Sequence, residues 1–258
     1  MIQAHPTPFD DINALLEQLV SSIHTILGDR LVGVYLFGSL VTGDFDRGSS
    51  DIDLLTATSA DIDEHEFNAL LAMHNDFAAT HTYWAGRIEV LYLSVMGLKT
   101  FRTQRSQIAV ISPGEPFHIK DAGDDWLINW YTVREKGIAL YGPSVETLIA
   151  PISKEEYISS VRRYVEAWRE YIDESRARPS QAYAILTMCR ALYAVTYGEQ
   201  VSKKQAALWA QQKLPEWSTL IQNALQWREN WRDENVDHDA TFAETKIFVY
   251  VMIDKILM

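Results

Sequence analysis

The segment from residue 31 to residue 55 constrains the fold most strongly, because it combines two β-like runs with a glycine turn and two close acidic residues. Leu31 to Phe37 is a short apolar run that ends at Gly38-Ser39. Asp51 to Leu55 then alternates acidic and aliphatic residues with a period of two, as half-buried strands do. We therefore predict two strands that carry the Gly-Ser turn and the pair Asp51 and Asp53.

This arrangement favours a site for a metal ion and a phosphate group. Gly38 permits a tight turn into a helix start, where backbone N–H groups and the Ser39 hydroxyl can hold phosphate oxygens. Asp51 and Asp53 are two residues apart on the predicted strand, so both carboxylates point from one face. Two such carboxylates repel each other unless a cation joins them, and magnesium prefers oxygen ligands. The sequence therefore predicts Mg²⁺ as the cofactor.

A third carboxylate is expected on a neighbouring strand. Residues 87 to 93 form another run with strand character, and in it Ile88 and Val90 alternate with Glu89. Glu89 is our candidate for a general base that takes a proton from an acceptor hydroxyl. Considered alone, Glu89 is equally well explained as an exposed acid on the face of a strand.

The order of elements predicts an α+β protein with two domains. Helices are predicted over residues 8–27 and 61–79, between and beside the three strands. From Asp125 onward, Trp126, Trp130, Val133 and Ile138 fit one helix, and no strand is predicted after it. Turn residues near 141–144 and Pro151 mark a boundary, so we predict a mixed-sheet domain over 1–150 and an α-helical bundle over 151–258.

The second half carries clear helix signals. Ser153 and Glu156 form a capping box, and Pro179 opens the next helix. Further helices are predicted at about 180–197, 203–213, 216–231 and 240–257. Several tryptophans of this half are explained either as bundle core or as a surface on which a ligand stacks, with core favoured: Trp168, Trp209, Trp217, Trp227 and Trp231.

Charge and composition limit the kinds of binding partner that we expect. The chain has 23 Lys and Arg against 35 Asp and Glu, a formal charge of −12, which disfavours nucleic acid and favours a cationic small molecule. Acidic proteins are also common for reasons of solubility alone. The lone cysteine, Cys189, is expected to be a buried apolar residue. Without an apolar run of about 18 residues or a secretory signal, we expect a cytoplasmic monomer that does not bind membranes.

The stretch from Gly38-Ser39 through Gly43 to Ser50-Asp-Ile-Asp-Leu54 resembles the signature of the polymerase-β-type nucleotidyltransferases. The rival phosphate motifs, the P-loop and Gly-x-Gly-x-x-Gly, are not in the sequence. Three later segments, ending at Pro143, Gly198 and Ala210, look like those of the streptomycin and spectinomycin adenylyltransferases. That family moves AMP from ATP to an aminoglycoside-type antibiotic with magnesium. Its fold is a nucleotidyltransferase domain followed by a helical bundle, with the active site in the cleft between them.

The resemblance also implies roles for individual residues. It implies that Asp51, Asp53 and Glu89 are catalytic and hold the metal, with Glu89 as the base. The nucleotide-binding residues that it implies are Gly38, Ser39, Ser50, Arg190 and Lys203. For Arg190, an ordinary salt bridge to a neighbouring acid is the alternative explanation. Asp125 and Trp84 are the candidates for contact with the acceptor, although Asp124 and Asp125 also suit a solvated helix start.

Two positions depart from the family at the acceptor pocket. Pro116 stands where the antibiotic enzymes present an aromatic residue, and Ser180 stands where they present an acid. The resemblance therefore implies the chemistry more directly than the acceptor, for which Trp84, Glu115, Asp121 or Asp124 could supply other contacts. A different acceptor, such as a protein side chain or a nucleotide, and a catalytically retired nucleotide sensor are the alternatives.

Overall fold

The computed structural model describes residues 5–230 and 236–258, which form two compact units. The first unit comprises Met1–Phe45 and Ser50–Pro151, and the second comprises Asp46–Ser49 and Ile152–Met258. Within the described residues, no helix combines the length and the apolar character needed to cross a membrane.

A six-stranded mixed sheet organises the first unit, and its strands lie in the order β5-β4-β3-β2-β1-β6. Only β2 and β3 pair in parallel; every other neighbouring pair is antiparallel. The strands are β1 Leu31–Phe37, β2 Ile52–Thr58, β3 Ile88–Ser94, β4 Ser106–Ser112, β5 Glu115–Ala122 and β6 Ile138–Tyr141.

Two long helices cover one face of this sheet: α1 spans Asp10–Leu27 and α3 spans Glu64–Thr80. Apolar residues at helical spacing on α1 and α3 pack with alternate residues of the central strands, among them Ile52, Leu54 and Val90. Burying such side chains stabilises the fold by roughly 2 kcal/mol each. Asp53 and Glu89 alternate with these buried residues along β2 and β3, so their side chains point to the opposite face of the sheet.

Three shorter helices complete the first unit. α2 spans Ser39–Thr42 and directly follows β1, α4 spans Val95–Thr100, and α5 spans Leu127–Lys136. α5 packs against β1, and its Trp130 is fully buried. The predicted continuation of this helix to Ile138 is wrong, because α5 ends at Lys136 with Gly137 as its C-cap, and Ile138 begins β6. A Cβ at residue 137 would overlap the carbonyl oxygen of Val133, which explains the glycine at this end.

The second unit is helical: α6 spans Lys154–Tyr171, α7 Arg178–Tyr197, α8 Lys203–Lys213, α9 Ser218–Glu229 and α10 Phe242–Leu257. α7 is the central helix, in contact with the other four, and Cys189 within it is completely buried, as predicted. The capping box of Ser153 and Glu156 is present, and Pro179 lies in the first turn of α7, also as predicted. Trp231 lies outside the described residues.

The α+β fold class is confirmed, with a mixed sheet first and helices after it. The prediction that no strand follows residue 125 is wrong, because β6 does; the three predicted strands are present, and β4, β5 and β6 extend the sheet on both sides. Asp51 also differs from its prediction: it precedes β2, which begins at Ile52.

Candidate active site

Asp53 and Glu89 lie side by side at one end of the sheet. They are direct partners in the parallel ladder between β2 and β3, so their Cα atoms are about 5 Å apart and their side chains project from the same face. Both side chains are half-buried, whereas Ile52 and Ile88 before them are buried on the helix-covered face. The alternation seen in the sequence thus places two carboxylates next to each other.

Asp51 is held by bonds on both sides of it rather than by the strand itself. The Arg87 guanidinium donates to the Ser50 carbonyl oxygen before it, and the Ile52 N–H after it donates to the Arg87 carbonyl oxygen at 3.0 Å. Arg87 is 2% exposed and lies 4.8 Å from the centre of the Trp84 ring. Sequence reasoning missed Arg87 as a residue of this site, although its place directly before a strand and beside Trp84 was visible.

The Gly38-Ser39 turn lies against the Asp53 carboxylate. Gly38 has a φ of 73°, and a Cβ at this position would overlap the Asp53 carboxylate. α2 begins immediately afterwards at Ser39, as the turn signal indicated. The Ser39 hydroxyl is buried and has no hydrogen-bond partner among the residues described. An unsatisfied buried hydroxyl costs about 1–3 kcal/mol, and no described residue offsets that cost at Ser39.

Burial raises the pKa of the Glu89 carboxyl, and the negative charge of Asp51 raises it further. Two groups of the β4–β5 hairpin act in the opposite direction. Ser112 donates a hydrogen bond to Glu89 Oε2 at 3.0 Å, and the positive charge of Lys120 also favours the ionised carboxylate. The net effect is a raised pKa for the Glu89 carboxyl, which suits a group that accepts a proton.

Ser112 and Lys120 were not predicted as part of the site. The signal that could have found them is Pro113-Gly114, a turn dipeptide between two runs with β character. Reading that dipeptide as a hairpin would have placed two further strands beside β3.

Arg190 and Lys203 lie in the second unit, close to one pair of tyrosines. Lys203 Nζ lies 4.4 Å from the centre of the Tyr183 ring, and the Tyr183 and Tyr164 hydroxyls are 3.3 Å apart. Burial raises the pKa of Tyr164, and the positive charge of Arg190 opposes that rise. Arg190 forms no ion pair with any residue in 5–230 or 236–258. The salt bridge considered as its alternative role is therefore absent from this part of the chain.

The two candidate acceptor residues occupy different surroundings. Trp84 is 8% exposed and stacks at 6.3 Å on Phe45, so most of its ring serves the core of the first unit. Asp125 is exposed, pairs with Arg105 at 3.1 Å and accepts the Gly123 N–H at 2.9 Å. Both residues already have structural roles.

The donor set fits magnesium in its chemistry. Asp51, Asp53 and Glu89 offer hard carboxylate oxygens at one end of the sheet, and Asp51 already raises the pKa of Glu89 by repulsion. Among the described residues no three Asp, Glu, His or Cys side chains are gathered closely enough to hold a metal by themselves. Magnesium commonly uses one or two carboxylates together with substrate phosphates rather than a complete protein cage. Asp51 and Asp53 are the residues best placed for that role.

Two family models match the chain: a nucleotidyltransferase domain over residues 16–112 and the C-terminal domain of aminoglycoside adenylyltransferase over residues 147–255. The first match includes Gly38, Asp51, Asp53 and Glu89, and the second includes Arg190 and Lys203. The chain is a nucleotidyltransferase.

Curated relatives indicate which kind of nucleotidyltransferase the chain resembles. The chain is 27% identical over 222 residues to an aminoglycoside (3'') (9) adenylyltransferase of Shigella flexneri, covering 80% of each protein. It is 26% identical over 251 residues to a spectinomycin 9-adenylyltransferase of Staphylococcus aureus, covering 93% of each. Within the nucleotidyltransferases, the chain is therefore a relative of the aminoglycoside adenylyltransferases.

A solved structure agrees with this assignment at the level of the fold. The crystal structure of spectinomycin adenyltransferase AAD(9) from Enterococcus faecialis with ATP and spectinomycin matches with a TM-score of 0.77. The match covers 95% of this chain and 99% of that one, at 17% identity.

Proposed function

We propose that this protein transfers AMP from ATP to a hydroxyl group of an aminoglycoside-type antibiotic and releases pyrophosphate, with Mg²⁺ as cofactor. The observation that carries the proposal is the ladder pairing of Asp53 with Glu89, directly beside the Gly38-Ser39 turn. That pairing brings Asp53 and Glu89 together beside the Gly38-Ser39 turn at one end of one sheet, and this supports the proposed metal ligand, base and phosphate-binding turn.

In the proposed reaction, Asp51 and Asp53 hold the metal and Glu89 accepts the proton of the acceptor hydroxyl. Magnesium, when bound, neutralises the negative charge of the phosphate groups. Burial raises the pKa of Glu89 and so favours proton uptake, while the hydrogen bond from Ser112 acts against that rise. We also propose that Glu89, the ladder partner of Asp53, contributes a metal ligand.

We propose nucleotide-binding roles for residues of each unit, taken separately. In the first unit, the turn at Gly38, the unpartnered Ser39 hydroxyl and the buried Ser50 beside Asp51 would contact its phosphates. In the second unit, Arg190 and Lys203 would supply positive charge, and Arg190 has no carboxylate partner in the described chain that a phosphate would have to displace. We propose functional domains at 1–150 and 151–258.

The acceptor is proposed to be cationic because the relatives are named for aminoglycosides and spectinomycin and because this chain carries a charge of −12. Electrostatic attraction by an acidic surface increases the rate at which cations arrive. Asp125 would release Arg105 and pair with an ammonium group of the acceptor instead. The exposed edge of Trp84 would contact the sugar rings. Because ATP is the donor, we propose a cytoplasmic location. We also propose that the protein is a monomer.

A second candidate keeps the chemistry but changes the acceptor. Pro116 and Ser180 replace the aromatic and acidic residues of the antibiotic enzymes, and Trp84 is largely buried. An acceptor that needs stacking and a second carboxylate would bind weakly here. Another hydroxyl-bearing cation would then be the substrate.

The first experiment measures pyrophosphate release from ATP and Mg²⁺ with streptomycin and spectinomycin offered separately. We expect acceptor-dependent release in the native protein and a loss of at least about 100-fold in Asp53→Asn and Glu89→Gln. Asp76→Asn on α3 is the matched control, because it makes the same carboxylate-to-amide change on an exposed helix surface. Full activity of Asp53→Asn would rule out the proposed metal site. If the native protein releases no pyrophosphate with either drug, the second candidate would be favoured.

A further inference from the structure

Ser112 is the last residue of β4, and the turn that follows fixes its position. Pro113 and Gly114 connect it to Glu115, its ladder partner at the start of β5. Gly114 has a φ of 79°, which suits the third position of a type II turn after proline. The backbone of Ser112 is thus determined by the hairpin and does not depend on its hydroxyl group.

The register of the sheet brings Ser112 opposite Glu89. β3 and β4 pair with Val90 opposite Ile111, and one further step along this antiparallel register places Glu89 opposite Ser112. Directly opposed residues point to the same face, so the hydroxyl meets the carboxylate rather than the core. Asp53, Glu89 and Ser112 therefore form one row across β2, β3 and β4.

The contact between them is specific to one carboxylate oxygen. Ser112 Oγ donates to Glu89 Oε2 at 3.0 Å, and both residues are half-buried. Among the residues described, Ser112 is the only hydrogen-bond donor to the Glu89 carboxylate. A carboxylate held at one oxygen loses most of its rotational freedom about its last bond, which fixes the direction of the other oxygen.

We propose that Ser112 is a positioning residue for the transfer reaction: it holds Glu89 Oε2 so that Oε1 is oriented to accept the proton of the acceptor hydroxyl. This inference rests on the proposed function. In the step, the acceptor oxygen forms a bond to the α-phosphorus, its proton passes to Oε1, and the bond between the α-phosphorus and the bridging oxygen breaks to release pyrophosphate. Ser112 keeps its own proton throughout.

Ser112→Ala removes only the hydroxyl, so the ladder pairing with Glu115 and the turn should remain. We expect kcat to fall about 10- to 100-fold, as other losses of a supporting hydrogen bond do, while KM for ATP changes less than about twofold. Ser112→Thr keeps the hydroxyl and should recover most of kcat. Ser106→Ala at the other end of β4 is the matched control; the Ser106 hydroxyl makes no hydrogen bond to a described residue, and its loss should leave kcat unchanged.

A double-mutant cycle ties the effect to Glu89. Adding Ser112→Ala to Glu89→Gln should cost little or no further activity, because the group that Ser112 orients is already changed. Equal losses from Ser112→Ala in the native and Glu89→Gln backgrounds would overturn the inference. So would unchanged kcat in Ser112→Ala, or failure of Ser112→Thr to recover it in a folded protein.

A measurement without turnover separates this inference from the proposed function. In protein labelled with ¹³C-glutamate, the infrared carboxylate band of Glu89 is identified as the band lost in Glu89→Gln. We expect Ser112→Ala to shift that band and Ser106→Ala to leave it in place. If no acceptor is ever adenylylated but the band shifts, the proposed function fails while the contact stands; an unmoved band contradicts the positioning role whatever the activity.

Discussion

Gly38 lies so close to Asp53 that a Cβ at residue 38 would overlap the aspartate carboxylate. The glycine also has a φ of 73°, a conformation that other residues seldom adopt. The turn that follows β1 and the carboxylate on β2 therefore fit together only if residue 38 has no side chain.

Gly38→Ala should damage the reaction far more than the fold. We expect a loss in kcat on the order of 100-fold, because the Asp53 carboxylate must move by an ångström or more. Gly43→Ala is the control for backbone strain: Gly43 has a φ of 76°, but no atom lies within 4 Å of the added Cβ. Comparable unfolding free energies for the two variants, with activity lost in Gly38→Ala alone, would support the fit; equal activities would contradict it.

Ser39→Ala should weaken the reaction while leaving the protein as stable as before, or more stable. The Ser39 hydroxyl is buried without a partner in the described chain, so its removal relieves a cost of about 1–3 kcal/mol in the free protein. In the complex it removes a phosphate contact, and KM for ATP should rise about tenfold. Thermal unfolding and ATP titration measure the two effects.

The comparison for Ser39→Ala is Thr56→Val. Thr56 is fully buried on β2, and its hydroxyl also lacks a partner among the described residues. Its position three residues beyond Asp53 puts it on the opposite face of the sheet. It should gain stability with no change in KM. Loss of stability in Ser39→Ala together with unchanged KM would show that the hydroxyl is structural.

Arg190→Ala should raise KM for ATP by at least about tenfold with little change in stability. Arg190 has no ion-pair partner in residues 5–230 or 236–258, so its removal leaves no carboxylate of this part unpaired. Arg169→Ala is the control, because Arg169 forms an exposed ion pair with Asp254 that should contribute under about 1 kcal/mol. ATP binding by calorimetry distinguishes the two. Equal ATP affinities in both variants would refute a role in nucleotide binding.

His74 should make the protein less stable as the pH falls from about 6.5 to about 4. Burial lowers the pKa of His74 from 6.5 to about 4. Between those values the unfolded chain binds a proton that the folded chain does not, so the free energy of unfolding decreases with falling pH. From pH 7.5 to pH 5.0 this amounts to about 2 kcal/mol.

Urea unfolding at both pH values tests this prediction, with His74→Gln as the comparison. Glutamine keeps a polar group near the Tyr92 hydroxyl, which now lies 2.7 Å from His74 Nε2, but does not titrate. The difference in stability between the two pH values should shrink by about 2 kcal/mol in His74→Gln. An unchanged difference would mean that His74 takes up its proton in the folded state.

The sequence predicted the elements whose signals are local. The capping box at Ser153, the proline at 179 and the alternation around Asp53 each depend on residues a few positions apart, and the structure has the helices and the strand they indicate. The pairing of Asp53 with Glu89 also followed, because both alternate with buried aliphatic residues on strands that flank one helix.

The outer strands of the sheet could not be found in this way. β5 is an edge strand that carries His118, Lys120 and Asp121 on exposed or half-exposed positions, so its apolar alternation is weak. β6 is four residues long and directly follows α5, where Ile138 continues the helical spacing by chance. The role of Ser112 depends on the register between β3 and β4, a tertiary property that no local pattern contains.

The most direct test of the account is transfer of the labelled α-phosphate of ATP to an acceptor, followed by mass spectrometry of the product. With Mg²⁺ and either spectinomycin or streptomycin, we predict that the native protein forms an adenylylated antibiotic, that Asp76→Asn does so at the native rate, and that Glu89→Gln does not. An adenylylated product formed equally well by Glu89→Gln would contradict the assignment of the base. Binding of ATP without any adenylylated antibiotic would contradict the proposed acceptor.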